Sequence, residues 1–283
     1  MLGLSSSYFA FRKKGIYDSA KSVFDLGFDT VELGAAHSFE NGVWETLKKI
    51  KLDFPGKNFT VHGLFPPLEQ RAWFNASSGL TAENKRVIKN FFRAAEILEA
   101  DVVSIHPGFR KQLSWQETGL DMADAVFGRQ LPKEKSWKGL FAVLKEFSKG
   151  AEKTGCAFAI ENVPMIGEPL VFSVQDFERV FDEFPNAGLL LDTGHAWFGE
   201  MLPELLESYS QKVAQIHLHY SRPKSVQSIG DEHLPIASMQ QLEPLKAIRQ
   251  LKRIPIIFEH GSNVSLEEIR SEKKIVEEFL KGL

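Results

Sequence analysis

The chain of 283 residues has one cysteine, Cys156, so no disulfide can form within it. It has little net charge: 34 Lys and Arg against 37 Asp and Glu leave −3, a balance that neither demands nor excludes an anionic partner. No apolar run approaches the roughly 20 residues of a membrane span. The first residues lack the basic and apolar regions of a secretory signal, and no low-complexity stretch divides the chain. These absences exclude a disulfide-stapled scaffold and point away from a membrane partner. The expectation is one domain, residues 1–283, in a reducing cytoplasm.

What is present is a series of short runs rich in Val, Ile, Leu and Phe without polar alternation, the pattern of strands buried on both faces of a parallel sheet. Eight are marked: Leu2 to Ser5, Thr30 to Leu33, Asn58 to His62, Asp101 to His106, Ala157 to Glu161, Gly188 to Asp192, Val213 to His217 and Pro255 to Glu259. Amphipathic segments separate them. Thr81 precedes one in which Val87, Ile88, Phe91, Phe92, Ala95, Ile97 and Leu98 return at helical spacing, and Ser238 with Gln241 and Ser265 with Glu268 fit the capping box. Eight strand-helix units predict an α/β fold, a (β/α)8 barrel, for which about 250 residues is usual. An open doubly wound sheet is the alternative, but it gives no reason for a polar residue after almost every strand.

Those polar residues are histidines and carboxylates. His62 ends FTVHG, His106 lies in VVSIHPG, Glu161 in FAIEN, Asp192 and His195 in LLLDTGH, His217 in QIHLH and Glu259 in IIFEHG, while Asp231 and His233 follow in GDEHLPI. In a parallel barrel all strands point one way, so these nine groups meet at the C-terminal face, where barrel active sites lie. A lone histidine after a strand is more often a hydrogen-bonded structural residue than a ligand; the repetition argues otherwise. Four converging carboxylates need cations, and histidine with carboxylate is what zinc binds, with manganese or iron able to use the same groups. Three divalent ions against four carboxylates leave +2 for a bridging hydroxide and a phosphate oxygen, whereas one ion leaves −2.

IHPGF, AIEN, LLLDTGHAW, IHLH and DEH resemble the metal-binding motifs of the endonuclease IV family, within the wider xylose-isomerase-like group of barrels. The resemblance implies three zinc ions and cleavage of the phosphodiester on the 5′ side of an abasic site in DNA. It implies that His62 and His106 hold one zinc, bridged through Glu161 to a second completed by Asp192, His217 and Glu259, while His195, Asp231 and His233 hold the third. Glu161 and Glu259 are then the catalytic pair: Glu161 bridges and positions, and Glu259 orients the attacking hydroxide. The partner implied is abasic-site DNA or another phosphorylated substrate. The sequence departs from the family at three places. HGLFPPLEQ replaces a loop that probes DNA, His219 stands where asparagine is usual, and DTGH replaces DTCH.

Three long connections on the same face carry basic and aromatic residues suited to phosphate and base contacts: Phe65, Arg71, Trp73 and Phe74 in the first; Arg110, Lys111, Trp115 and Arg129 in the second; Arg222 and Lys224 in the third. The bland alternative is that the aromatics pack their own loops. A competing enzyme reading is a sugar or sugar-phosphate isomerase or epimerase. It needs one metal on Glu161, Asp192, His217 and Glu259, with the two glutamates moving a proton beside a carbonyl. A non-catalytic binding protein is a third reading. Glu32 and His37 read as rim or loop residues, His260 as solvating a strand end, and Trp44 and Trp137 as helix packing.

Overall fold

A computed structural model describes residues 1–34, 36–63, 65–69, 74–115, 125–164, 168–226 and 231–283. The strands are β1 (Leu2–Ser5), β2 (Thr30–Leu33), β3 (Asn58–His62), β4 (Val102–Ile105), β5 (Lys111–Trp115), β6 (Ala125–Gln130), β7 (Ala157–Glu161), β8 (Gly188–Asp192), β9 (Val213–Leu218) and β10 (Ile256–Phe258). Eight of them close into a parallel barrel in the order β1-β10-β9-β8-β7-β4-β3-β2. All eight apolar runs marked in the sequence are barrel strands, and five keep both predicted ends. The antiparallel pair of β5 and β6 stands apart as a hairpin in the connection after β4.

Helices cover the outside: α1 (Ser7–Ala10), α2 (Ile16–Asp25), α3 (Val43–Asp53), α4 (Ala82–Leu98), α5 (Lys133–Thr154), α6 (Val174–Glu183), α7 (Thr193–Phe198), α8 (Leu202–Tyr209) and α9 (Leu266–Lys281). Their ends follow capping chemistry. Thr81 accepts the Asn84 amide at the start of α4, and full capping boxes start α6 at Ser173 and α9 at Ser265. Ser238 and Gln241 also form a capping box, but it opens a 3-10 helix, Met239–Ala247, with Pro244 inside. Proline has no amide hydrogen and clashes with the carbonyl four residues back, which disfavours the α form.

Strand residues alternate between two environments. On β7, Phe158 and Ile160 join the large apolar cluster shared with the helices, whereas Ala159 belongs to a small separate cluster with Val102 and Leu190. The outer layer is tight: Phe147 of α5 stacks on Phe158 at 5.3 Å and meets Phe91 at 5.3 Å and Phe92 at 5.2 Å. Burying each such ring is worth about 1.5–3 kcal/mol. Because the period along a strand is two, the inward set that contains Ala159 and Leu190 continues to Glu161 and Asp192 at the strand ends. Among the described residues no helix is long and apolar enough to cross a membrane.

Candidate metal centre

The strand ends bring all nine predicted residues to one place. Glu161 is the hub. Its Oε2 lies 3.2 Å from His62 Nε2 and 3.0 Å from His106 Nε2. His217 Nδ1 lies 3.7 Å from Glu161, 3.8 Å from Asp192 and 3.4 Å from Glu259. Farther along, Asp231 Oδ2 is 3.1 Å from His195 Nε2 and 2.9 Å from His233 Nε2. The groups able to surround an ion are therefore His62, His106 and Glu161; Glu161, Asp192, His217 and Glu259; and His195, His219, Asp231 and His233; a further one joins Glu32, His62 and His217. Within each, one donor atom per residue lies within 4.8 Å of all the others.

Local structure fixes these side chains. The side-chain amide of Asn162, next to Glu161, bonds both ways with the backbone of Asp192: Nδ2 donates to the carbonyl and Oδ1 accepts the amide, both at 2.8 Å. Asp192 in turn caps α7, its Oδ1 accepting the His195 amide at 2.7 Å. Four histidines use one ring nitrogen as an anchor. His62 Nδ1 meets Ser104 Oγ, His195 Nδ1 the Asn162 carbonyl, His233 Nδ1 the Glu259 carbonyl and His217 Nε2 the Glu32 carboxylate, at 2.9–3.0 Å. The other nitrogen of each is left for the cluster. Such outer contacts fix tautomer and ring orientation in metal sites.

The donor set fits divalent ions. Glu161 Oε2, His217 Nδ1, His219 Nδ1 and Asp231 Oδ2 are buried without an aligned hydrogen bond, which is rare for buried polar atoms. Electrostatics agree. Burial opposes charge on Glu161, but His106 and His62 outweigh it and hold its pKa well below the carboxylate range. Burial likewise opposes charge on His217, while Glu32 and Glu259 raise its pKa well above the ordinary value. His233, against Asp231, overcomes its own burial and rises to about 9. Without an ion these carboxylates hold protons on His217 and His233, whereas burial lowers the pKa of His62; a metal takes the protons' places by displacing them.

Two participants were absent from the predicted set. Glu32, read as a rim or loop residue, is fully buried in β2 and accepts from Gln215 Nε2 at 2.6 Å as well as meeting His217. The available signal was a charged residue inside an apolar strand. His219 is also fully buried, its Nε2 3.1 Å from Asp192. His260 does not solvate the strand end: it is buried against Glu272 of α9 at 2.6 Å.

The expected nucleic-acid contacts fare differently. Phe65 and Phe74 are 1% and 8% exposed, so both pack inward and neither offers a face to a base. Arg222 is paired with Glu232 and Lys111 with Glu168; Arg129 and Lys224 are exposed. Arg71, Trp73 and the side chain of Trp115 lie outside the described residues.

Similar folds occur in solved structures. A D-tagatose 3-epimerase-like protein shares 18% identity, with 99% of this chain and 97% of that one covered and a TM-score of 0.66. D-psicose 3-epimerase from Clostridium cellulolyticum shares 16%, with 99% and 98% covered and a TM-score of 0.67. Endonuclease IV from Thermus thermophilus shares 17%, with 96% of each chain covered and a TM-score of 0.61. At such identities the likeness establishes the fold, and both chemistries occur on it. No protein with a curated description matches the sequence. The family described as xylose isomerase-like TIM barrel matches residues 20–277, and with a closed parallel barrel bearing clustered metal-binding groups at its C-terminal face, the chain belongs to that family.

Proposed function

We propose that the chain is a metal-dependent isomerase or epimerase of a small sugar or sugar phosphate, with an ion held by Glu161, Asp192, His217 and Glu259. One observation carries this reading: two glutamates, one ending β7 and one following β10, share a single four-donor group, and they differ in access, with side-chain exposures of 1% for Glu161 and 23% for Glu259. A bound divalent ion supplies charge neutralisation, polarising a carbonyl or phosphoryl oxygen and acidifying water. One carboxylate takes the proton from the carbon beside the carbonyl; the other returns a proton to the opposite face or to the neighbouring carbon. His106 and His233, each about one-third exposed at the side chain, are placed to contact sugar hydroxyls. The inward packing of Phe65 and Phe74 favours a small substrate over a duplex, as do the epimerases among the similar folds.

A second reading, phosphoester hydrolysis, is favoured by the donors that the first does not require. His62 and His106 with Glu161, and His195, Asp231 and His233 together with His219, form groups beyond the one around Glu259, and apart from His219 they contain the residues that the endonuclease IV resemblance implies for up to three zinc ions. Glu161 would then position the ions and Glu259 the attacking water, with abasic-site DNA or another phosphorylated molecule as substrate.

The test pairs metal analysis of the purified chain with two assays, carbon-bound hydrogen exchange on a panel of ketoses and their phosphates, and nicking of a duplex with one abasic site, each with and without chelator. Chelator-sensitive exchange supports the isomerase. Chelator-sensitive nicking with about three ions per chain replaces it with the hydrolase. Absence of bound metal at saturation overturns both.

A further inference from the structure

His219 occupies a position that neither reading uses. Its ring is fully buried and lies parallel to that of His233, with centroids 3.9 Å apart and planes 9° apart. Its Nε2 is engaged by Asp192, 3.0 Å from Oδ1 and 3.1 Å from Oδ2. Its Nδ1 has no hydrogen-bond partner although buried, and Asp231 Oδ1 is 3.8 Å away. A ring held by one nitrogen with the other buried and unpaired is the arrangement of a metal-ligating histidine. The neighbouring donors converge on the same point, since the Nε2 atoms of His195 and His233 both face Asp231 Oδ2.

Room for this ring comes from Gly194. A Cβ at that position would lie 1.9 Å from Cε1 and 2.0 Å from Nδ1 of His219, closer than any real contact. The backbone of Gly194 is not in the left-handed region, so the turn itself does not demand glycine. The space does. Gly194 and His219 are also two of the three places where the sequence departs from the endonuclease IV pattern, and here they touch.

We propose that His219 is a fourth protein donor to an ion held by His195, Asp231 and His233, that Gly194 admits it, and that this second ion site is closed. Three protein donors leave a zinc ion a position for water or substrate, whereas four are the mark of a structural site. The closed ion would tie the end of β8, the end of β9 and the segment carrying Asp231 and His233 into one rigid unit, leaving substrate chemistry to the group around Glu161. The inference rests on the chain being a metalloenzyme and is independent of whether it isomerises sugars or cleaves phosphoesters.

The experiment is a cobalt(II) titration of the metal-free full chain, followed by visible absorption, which reports four-coordinate geometry through intense bands that five- and six-coordinate cobalt lacks. Wild type should show such a band. In His219→Asn water takes the vacated position, so the band should persist but change shape and shift with pH as that water loses its proton, and that cobalt should bind at least about tenfold more weakly. Gly194→Ala, which keeps the histidine but displaces it, should do the same, and the double variant should be no worse than His219→Asn alone, because both changes remove one interaction. Circular dichroism of the metal-free proteins checks that each variant folds, and Gly194→Ala carries the test if His219→Asn does not. Cobalt bound by wild type, with band, pH response and affinity all unchanged in the folded variants, overturns the fourth donor and leaves the proposed function standing. No cobalt bound by wild type at all overturns both.

Discussion

Adjacent residues on β7, β8 and β9 live in opposite chemistry. Phe158, Ile160, Leu189, Leu191, Ile216 and Leu218 enter the apolar layer beneath the helices, while Glu161, Asp192 and His217, all likewise buried, face charged partners at 3.7 and 3.8 Å across the barrel mouth. Burial is the same on both sides of the strand, but its meaning is reversed. On the outer side it is the source of stability, spread over many similar contacts. On the inner side it is a cost, opposed group by group through specific opposite charges. The outer side should therefore respond to substitution in stability and the inner side in metal content and turnover.

The strongest test of that division is Glu161→Gln. The amide cannot take up a proton or neutralise a cation, so turnover should fall by about 10²–10⁴-fold with loss of bound metal, read by steady-state kinetics and elemental analysis. Leu191→Ala, one residue before Asp192, should do the reverse. It should cost about 2–5 kcal/mol in denaturant unfolding while metal per folded chain stays at the wild-type value. If Leu191→Ala also emptied the centre, the two faces would not be separable.

His37 sharpens the comparison from a third position. It is buried beside Ser6 Oγ at 2.9 Å, and with burial as the cause its pKa falls to about 4, whereas the equally buried His217 is raised by its carboxylates. The folded chain keeps His37 neutral where the unfolded chain, at about 6.5, binds a proton. Its contribution is therefore complete above pH 6.5 and is lost as pH falls from 6.5 to 4, by about 3 kcal/mol at most. Unfolding of His37→Gln across that interval should show a shallower slope, by about one proton, than wild type. The smallest effect expected is at Glu32→Gln. It keeps a hydrogen-bonding group against His217 but removes the charge, and should weaken metal binding about 10–100-fold.

Much of this arrangement is written in the chain because barrel strands buried on both faces leave an unmistakable pattern, and because a ligand at each strand end follows its run directly. The nine predicted residues meet for that reason. What escaped depended on contacts between distant segments. Glu32 sits inside TVEL, where only its charge marks it, and its role is set by Gln215 and His217 more than 180 positions away. His260 takes its meaning from Glu272 on α9. The β5–β6 hairpin has short strands, KQLSW and AVFGRQ, without the unbroken apolar run of a barrel strand. For Phe65 and Phe74 the sequence left two readings open, stacking on a substrate or packing of their own loops, because composition cannot say which way a loop ring turns; burial bears out the second.

Gly194 also makes the tolerance of two distant positions conditional on each other. With any side chain at 194, a Cβ would lie 1.9 Å from Cε1 of His219, so glycine is the residue that fits there while histidine stands at 219. A shorter side chain at 219 removes that ring and with it the demand for glycine.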